Sequence, residues 1–359
     1  MYENYIDKAT KIRQGEEINS SNLQEYLTKI LSIKGNIEIS QFPNGFSNLT
    51  YLIKIDKDEF VLRRPPHGAK IKTGHDMFRE FNILSKLFPF FNKVPKVISY
   101  CEDVKVIGAP FYLMEKINGV IIRGNSKMIN KLDKDSMGEI ANNFINNFVE
   151  LHSIDIHKSK LNEIGKIDGY NLRQIKGWIK RYNNSIVDEC ANLEKAAKWL
   201  LNNIPKESSA SLIHNDYKYD NIVLNSKNIN KIISVLDWEM STIGDPLMDL
   251  GTTLGYWINH NDPDFMKKLN LNPSSVEGNP TRDQFVNQYA LKAKININNL
   301  TFYYVYGLFK IAVIIQQIYF RYNKGLTKDM RFKNLNLWIK ELGLIASQSI
   351  DKKKLDNLF

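Results

Sequence analysis

The spacing of apolar and polar positions changes character near residue 118 of this 359-residue chain. Residues 20–34 repeat apolar side chains at helical spacing behind a Ser/Asn start, which predicts an amphipathic helix. Over residues 37–64 the period drops to two. Ile37-Glu38-Ile39, Thr50-Tyr51-Leu52-Ile53-Lys54-Ile55 and Phe60-Val61-Leu62-Arg63 read as strands, with Asp56-Lys57-Asp58 turning between the last two. Helical spacing returns over 75–88 through Phe78, Phe81, Leu84 and Leu87, and residues 97–100 and 111–114 read as two more strands. The expected arrangement is a five-strand meander with one inserted helix. After Asn118-Gly119 the pattern is helical almost throughout, apart from short apolar strands around residues 212–224 and 232–236. A β-rich third followed by a helical remainder predicts an α+β fold of two lobes. Residues 1–117 would form a small lobe with a five-stranded antiparallel sheet, and residues 118–359 a larger helical one, hinged near 115–119.

Composition narrows the function classes. Apolar content of 43% and charged content of 25% are ordinary for a soluble globular protein. The net charge of +10 suits anionic partners such as nucleotides. The basic residues are dispersed, with no compact stripe interleaved with aromatics, so nucleic-acid binding is not expected. Cys101 and Cys190 lack metal-ligand spacing and fit a reducing compartment, and residues 1–5 carry no signal-peptide pattern, so a cytoplasmic location is expected. The apolar stretch 303–320 contains Lys310, Gln316 and Gln317 and reads as a buried helix, not a membrane span. His67, His75, His152 and His157 show no metal pattern, and His152 reads as a satisfied core or helix-end residue. Neither a Gly-x-Ser-x-Gly nor a His-Glu-x-x-His motif is present, which removes serine hydrolases and zinc proteases.

The candidate chemistry lies in His214-Asn215-Asp216-Tyr217-Lys218-Tyr219-Asp220-Asn221 and in Asp237-Trp238-Glu239. Asp216 and Asn221 are five positions apart, the interval of the kinase catalytic loop, and Asp237 ends an apolar run sixteen residues later. Phosphoryl transfer asks a protein to position groups and neutralise charge. Asp216 would take the proton of an acceptor hydroxyl. Asn221 and Asp237 would hold Mg²⁺, which prefers oxygen ligands and needs few carboxylates.

Other positions complete the expected site. The loop 41–48 would either fold over phosphates, with Ser47 and Asn48 as its polar contacts, or serve as an ordinary hairpin turn. Arg63, ending the third strand, would touch the nucleotide phosphates and pair with Glu80 on the following helix. The carbonyl of Glu115 and the N–H of Ile117 would meet an adenine edge. Glu239 is close enough in sequence to Asp237 to assist the metal. Asp249 would cap the helix after Gly244-Asp245-Pro246 or brace the catalytic loop. Trp178, Arg181 and Tyr182 would line a substrate groove, with core packing the alternative for Trp178 and Tyr182.

These residues resemble the aminoglycoside phosphotransferase (choline kinase-like) family of the protein-kinase-like superfamily, in the branch that some eukaryotes fuse to acyl-CoA dehydrogenase modules. The likeness runs through Ser47-Asn48-Leu49-Thr50-Tyr51, Val61-Leu62-Arg63-Arg64-Pro65-Pro66, Arg79-Glu80-Phe81, Leu236-Asp237-Trp238-Glu239 and Tyr306-Gly307-Leu308-Phe309-Lys310. It implies a bilobal kinase fold, ATP, Mg²⁺ and a small-molecule hydroxyl acceptor, with Asp216 as base, Asn221 and Asp237 as metal ligands, and Arg63 with Glu80 as the phosphate-side ion pair. An arginine at position 63 is itself a habit of that branch, and hydroxyacyl-CoA phosphorylation is the chemistry it implies. Asn215 stands where the family commonly has glycine. Competing readings are a kinase of aminoglycosides, amino-alcohols or sugars, and a nucleotide-binding pseudokinase module. The acceptor, the oligomeric state and the choice of ATP over GTP are not written in the residues.

Overall fold

The computed structural model describes residues 2–33, 35–43, 48–66, 75–124 and 126–359. Their packing divides into two compact units, one of residues 1–121, 157–164 and 222–241, the other of 122–156, 165–221 and 242–359. A cut after residue 117 follows the change of pattern along the chain; packing instead returns two later segments to the first unit.

The first unit begins with helix α1 (Ser20–Leu31), whose N-cap Asn19 accepts the Asn22 N–H. It ends three residues earlier than its spacing predicts, at Ser32, which turns left-handed (φ 55°). Strands β1 (Ile37–Gln41), β2 (Leu49–Ile55) and β3 (Asp58–Arg64) follow, then α2 (Met77–Leu87), β4 (Val97–Cys101), the short α3 (Val104–Ile107) and β5 (Phe111–Glu115). All five strands pair antiparallel, in the order β1-β2-β3-β5-β4. The sheet is therefore not the meander expected, because β5 inserts between β3 and β4. Burial accounts for the exchange. Phe111, Tyr112, Leu113 and Met114 are all buried and take the inner place, whereas every residue of β4 except Cys101 is only half-buried and suits an edge. Leu23 and Leu27 of α1 pack on Tyr51, Ile53, Leu62, Phe111 and Leu113. On α2 the buried face is Met77, Glu80, Ile83, Leu84 and Leu87; Phe78, assigned to that face by spacing, is 54% exposed.

The second unit starts with α4 (Lys134–His152), α5 (Tyr170–Asn184), α6 (Ala191–Asn202) and β6 (Ser211–Ile213). The chain then gives the first unit a hairpin, β7 (Ile222–Leu224) paired with β8 (Ile232–Val235). Val120 exchanges two 2.8 Å backbone hydrogen bonds with Leu224. Gly119 allows that approach, since a Cβ there would lie 2.5 Å from the Leu224 carbonyl. Back in the second unit, β9 (Thr242–Gly244) pairs with β6, and α7 (Pro246–Tyr256), α8 (Asp264–Leu269), α9 (Arg282–Ala293), α10 (Leu300–Asn323) and α11 (Leu335–Lys352) complete the chain. Helix α10 is long and apolar enough to span a membrane, yet it is buried without a break from Phe302 to Val313 and forms the core of its unit. Gly251 on α7 and Gly307 on α10 meet backbone to backbone; a Cβ on either would collide with the other helix.

Candidate active site

In the first unit the site is organised around one guanidinium. Arg63 sits on β3 opposite Thr50 of β2 and Tyr112 of β5, in the middle of the sheet. Its Nε stands 3.5 Å from Glu80 Oε2, and one terminal nitrogen lies 2.9 Å from Asp237 Oδ1 and 3.4 Å from Glu239 Oε2. Three carboxylates thus share one cation, which is why Arg serves better here than Lys. Burial alone would lower the Arg63 pKa, but Glu80, Tyr112, Asp237 and Glu239 hold it above its ordinary value. Burial pushes the Glu80 carboxyl up, against the opposing pull of Arg63. Glu80 is 2% exposed, so it is a member of the core face and no solvated helical residue.

Asp237 itself is held in the left-handed region (φ 68°, ψ 63°), a conformation uncommon for residues other than glycine. The turn is fixed on its far side. Trp238 is buried and donates its ring N–H to the Val235 carbonyl at 2.9 Å, while Arg79 from α2 donates to the carbonyls of Ser241 and Glu239. The Asp237 side chain remains 34% exposed, with Oδ1 engaged by Arg63. Asn48 donates to Glu239 Oε2 at 2.7 Å, and its amide oxygen is 2.9 Å from His75 Nδ1. Glu239 therefore joins Arg63 and Asn48 beside Asp237. Ser47 lies outside the described residues. Glu115 ends β5 with an exposed side chain and gives its N–H to the Lys96 carbonyl at 2.9 Å; Ile117 follows, half-buried.

In the second unit the loop that carries Asp216 leaves β6 at His214. Asn215 is left-handed (φ 66°), which explains how a site that suits glycine carries Asn, a residue that tolerates this region better than most. Asp216 follows and is gripped from several sides. Lys218 Nζ lies 3.1 and 3.0 Å from its two oxygens, Asn221 Nδ2 donates to Oδ2 at 2.9 Å and to the Asp216 carbonyl at 2.8 Å, and the Tyr256 hydroxyl bonds the same carboxylate. Burial would raise the Asp216 pKa, but Lys218 and these hydrogen bonds hold it below its ordinary value. Asp216 is thus ionised at neutral pH, the form a base needs. Because Asn221 spends its amide N–H groups on Asp216, its amide oxygen is the atom that could serve as a ligand. Each unit thus offers an oxygen donor of the kind Mg²⁺ prefers, the neutral Asn221 amide oxygen in the second and the partly exposed Asp237 carboxylate in the first. Among the described residues no cluster of three His, Cys, Asp or Glu suits a metal that is chelated wholly by protein.

Behind the loop, Asp249 of α7 is fully buried and accepts the N–H of His214 at 2.6 Å and of Asn215 at 2.7 Å. It braces the loop. The cap of α7 is Asp245, which accepts the Leu247 N–H at 3.0 Å. His152 is satisfied, with Nε2 3.1 Å from Asp249 and Nδ1 2.7 Å from the Tyr289 hydroxyl. Trp178 and Tyr182 are buried, and Arg181 stacks over the Trp178 ring at 4.7 Å. Sequence reasoning left Lys218, Tyr256, Arg79 and Lys310 without roles. A lone cation inside an apolar helix was the one available signal, and it belonged to Lys310.

Comparison with known proteins bears on the family and the fold. A model described as the phosphotransferase enzyme family matches residues 38–273. Human acyl-CoA dehydrogenase family member 11 is 32% identical over 346 residues, covering 92% of this chain; the chain spans 43% of that relative's length. A Ralstonia eutropha structure assigned to the aminoglycoside phosphotransferases superposes with a TM-score of 0.79 at 24% identity, covering 94% of this chain and 99% of the other. Spectinomycin phosphotransferase, solved with ADP and spectinomycin, superposes with a TM-score of 0.60 at 13% identity, covering 92% and 98%. Such low identities speak for the fold, which is that of the protein-kinase-like α+β proteins.

Proposed function

The chain belongs to the phosphotransferase enzyme family; from that premise we propose that it is a small-molecule phosphotransferase with an alcohol group as acceptor, an ATP- and Mg²⁺-dependent kinase acting on a hydroxyacyl-CoA. The observation that carries the reading is Asp216, held ionised by Lys218 and flanked by Asn221 and Tyr256. In the proposed reaction the acceptor oxygen attacks the γ-phosphorus of ATP, the bond to the bridging oxygen breaks, ADP departs, and the hydroxyl proton passes to Asp216. Lys218 stabilises the carboxylate before the transfer and faces the phosphoryl charge during it. Asn221, through its amide oxygen, and Asp237 would hold Mg²⁺, whose charge offsets that of the β- and γ-phosphates. Arg63, fixed by Glu80, would meet the α- and β-phosphates, and Ser47, Asn48, Glu115 and Ile117 would complete the nucleotide contacts. In functional terms residues 1–117 would cover the nucleotide and 118–359 supply the base and the acceptor surface.

The acyl-CoA acceptor is supported by the segment shared with acyl-CoA dehydrogenase family member 11. Cys101 and Cys190, both free and buried, suit the cytoplasmic location that we also propose. The test is a screen of purified protein with Mg²⁺-ATP against hydroxyacyl-CoAs, choline, sugars, kanamycin and spectinomycin, scoring ADP release and the mass of the product. A product heavier by one phosphoryl group on a hydroxyacyl-CoA supports the proposal. Turnover confined to the other acceptors moves the substrate class. Nucleotide binding without turnover on any of them favours the pseudokinase reading.

A further inference from the structure

Lys310 is the one charged side chain in the buried centre of α10, and it is 1% exposed. Its ammonium reaches the Asn215 carbonyl at 2.7 Å, the Asn215 side-chain oxygen at 3.2 Å and Thr252 Oγ1 at 3.4 Å. Each acceptor is committed to that role. Thr252 spends its own proton on the Met248 carbonyl at 2.9 Å, and Asn215 directs its NH₂ towards the Tyr170 hydroxyl at 3.5 Å, which aims its oxygen at Lys310. Three acceptors match the three N–H groups of an ammonium, whereas a neutral amine has only two to give.

We propose that Lys310 is a positioning residue for the catalytic base: with Asp249 it clamps the left-handed Asn215 peptide from both sides and so sets where Asp216 points. Asp249 takes the Asn215 N–H and Lys310 takes the Asn215 C=O, so both groups flanking an unfavourable φ of 66° are pinned by opposite charges. Strain of this kind persists only where the surroundings over-determine it. The clamp depends on the backbone contact of Gly251 with Gly307, which brings Thr252 and Lys310, one turn further on, to the same point. Trp178 covers the ammonium, its ring centroid 5.8 Å from Nζ.

A buried cation so placed carries a pH signature. Burial lowers the Lys310 pKa to about 8, opposed by Asp249 and Asp216 and reinforced by Lys218 and Arg181. Loss of its proton removes one of the three hydrogen bonds, so the clamp loosens as pH rises through that value. Stability moves the other way. Above about pH 8 the folded chain has shed a proton that the unfolded chain still holds, so this group's contribution to stability rises with pH up to the ordinary lysine value. Activity falling while stability rises over one pH window is a pattern that a merely structural lysine would not produce.

The role rests on Asp216 acting as the base, and two readouts separate the claims. Hydrogen exchange needs no substrate. In Lys310→Met the peptide spanning 212–221 should lose protection while α4 and the sheet of the first unit keep theirs; unchanged protection in that peptide overturns the clamp, whatever the reaction proves to be. With the acceptor found by the screen, Lys310→Met should lower kcat by 30-fold or more with the ATP KM within threefold, and should flatten the alkaline limb of the kcat profile. Should Lys310→Met fail to fold, Thr252→Val removes only the weakest acceptor: the clamp predicts a fall in kcat of severalfold and an alkaline limb displaced to lower pH. A Thr252→Val profile superimposable on the wild type overturns the proposal.

Discussion

Arg63 Nε and Glu80 Oε2 face each other across 3.5 Å in a site where the two side chains are only 12% and 3% exposed. A buried pair of this kind is weak evidence for stability in itself, but removing one partner strands the other. Glu80→Ala should cost towards the lower end of about 3–5 kcal/mol, because Asp237 and Glu239 still compensate Arg63. Urea denaturation measures it, and a midpoint equal to that of the wild type would show the pair to be incidental. Arg63→Lys retains the charge but loses the fork that reaches three carboxylates, so we expect a rise of roughly tenfold in the ATP KM, the equivalent of one charge-assisted hydrogen bond.

Asp216→Asn preserves shape and removes the proposed base. Positioned acid–base groups contribute about 10²–10⁴-fold, so kcat should fall within that range while circular dichroism is unchanged. Asp237→Asn should fall comparably and in addition weaken the dependence on Mg²⁺ concentration. Wild-type turnover by either variant on the acceptor would remove that residue from the mechanism.

The Asp249 carboxylate lies fully buried beneath two backbone N–H groups and beside His152. Burial would raise its pKa, but hydrogen bonding and charge from His152, helped by His214 and Lys310, hold it below the ordinary value. The sign follows. The unfolded chain takes up a proton here before the folded chain does, so this stabilisation is complete above the ordinary aspartate pKa and is lost as pH falls through the lowered one. Acid unfolding of Asp249→Asn should accordingly be less steep than that of the wild type. At neutral pH the variant should be destabilised by about 1–3 kcal/mol for each N–H left without a strong acceptor.

Gly307→Ala places a methyl group against the backbone of α7 at Gly251. Overpacking of this kind costs about 1–3 kcal/mol, and more where the obstacle is main chain. The same substitution displaces Thr252 from Lys310, so activity should fall further than the thermal midpoint alone would explain. Equal losses in both would argue that the helix contact serves stability only.

Much of this was legible from residues near one another in the chain. The strands 37–64, the two longer helices of the first unit, and Asp216 with Asn221 are set by period, by turn chemistry and by a five-residue interval. Each of those is a local relation, and local relations survive in a string of letters. The order β3-β5-β4 was not legible, because adjacency in a sheet is decided by which strand buries more, and that depends on what covers it. Phe78 and Glu80 show the same limit. Helical spacing puts Phe78 on an apolar stripe with Phe81, Leu84 and Leu87, yet Phe78 is half-exposed and Glu80 is sealed, since the partner that makes a carboxylate tolerable in the core lies on another element.

The chain of letters, then, determined the class of fold and the family, and it singled out the residues we propose as base and metal ligands. Tertiary structure alone decided what surrounds them. Glu239 meets an asparagine 191 positions away, and Lys310 meets Asn215 across 95. Such contacts arise where buried charge must find a partner and where two glycines let helices touch, conditions that exist only once the chain has folded.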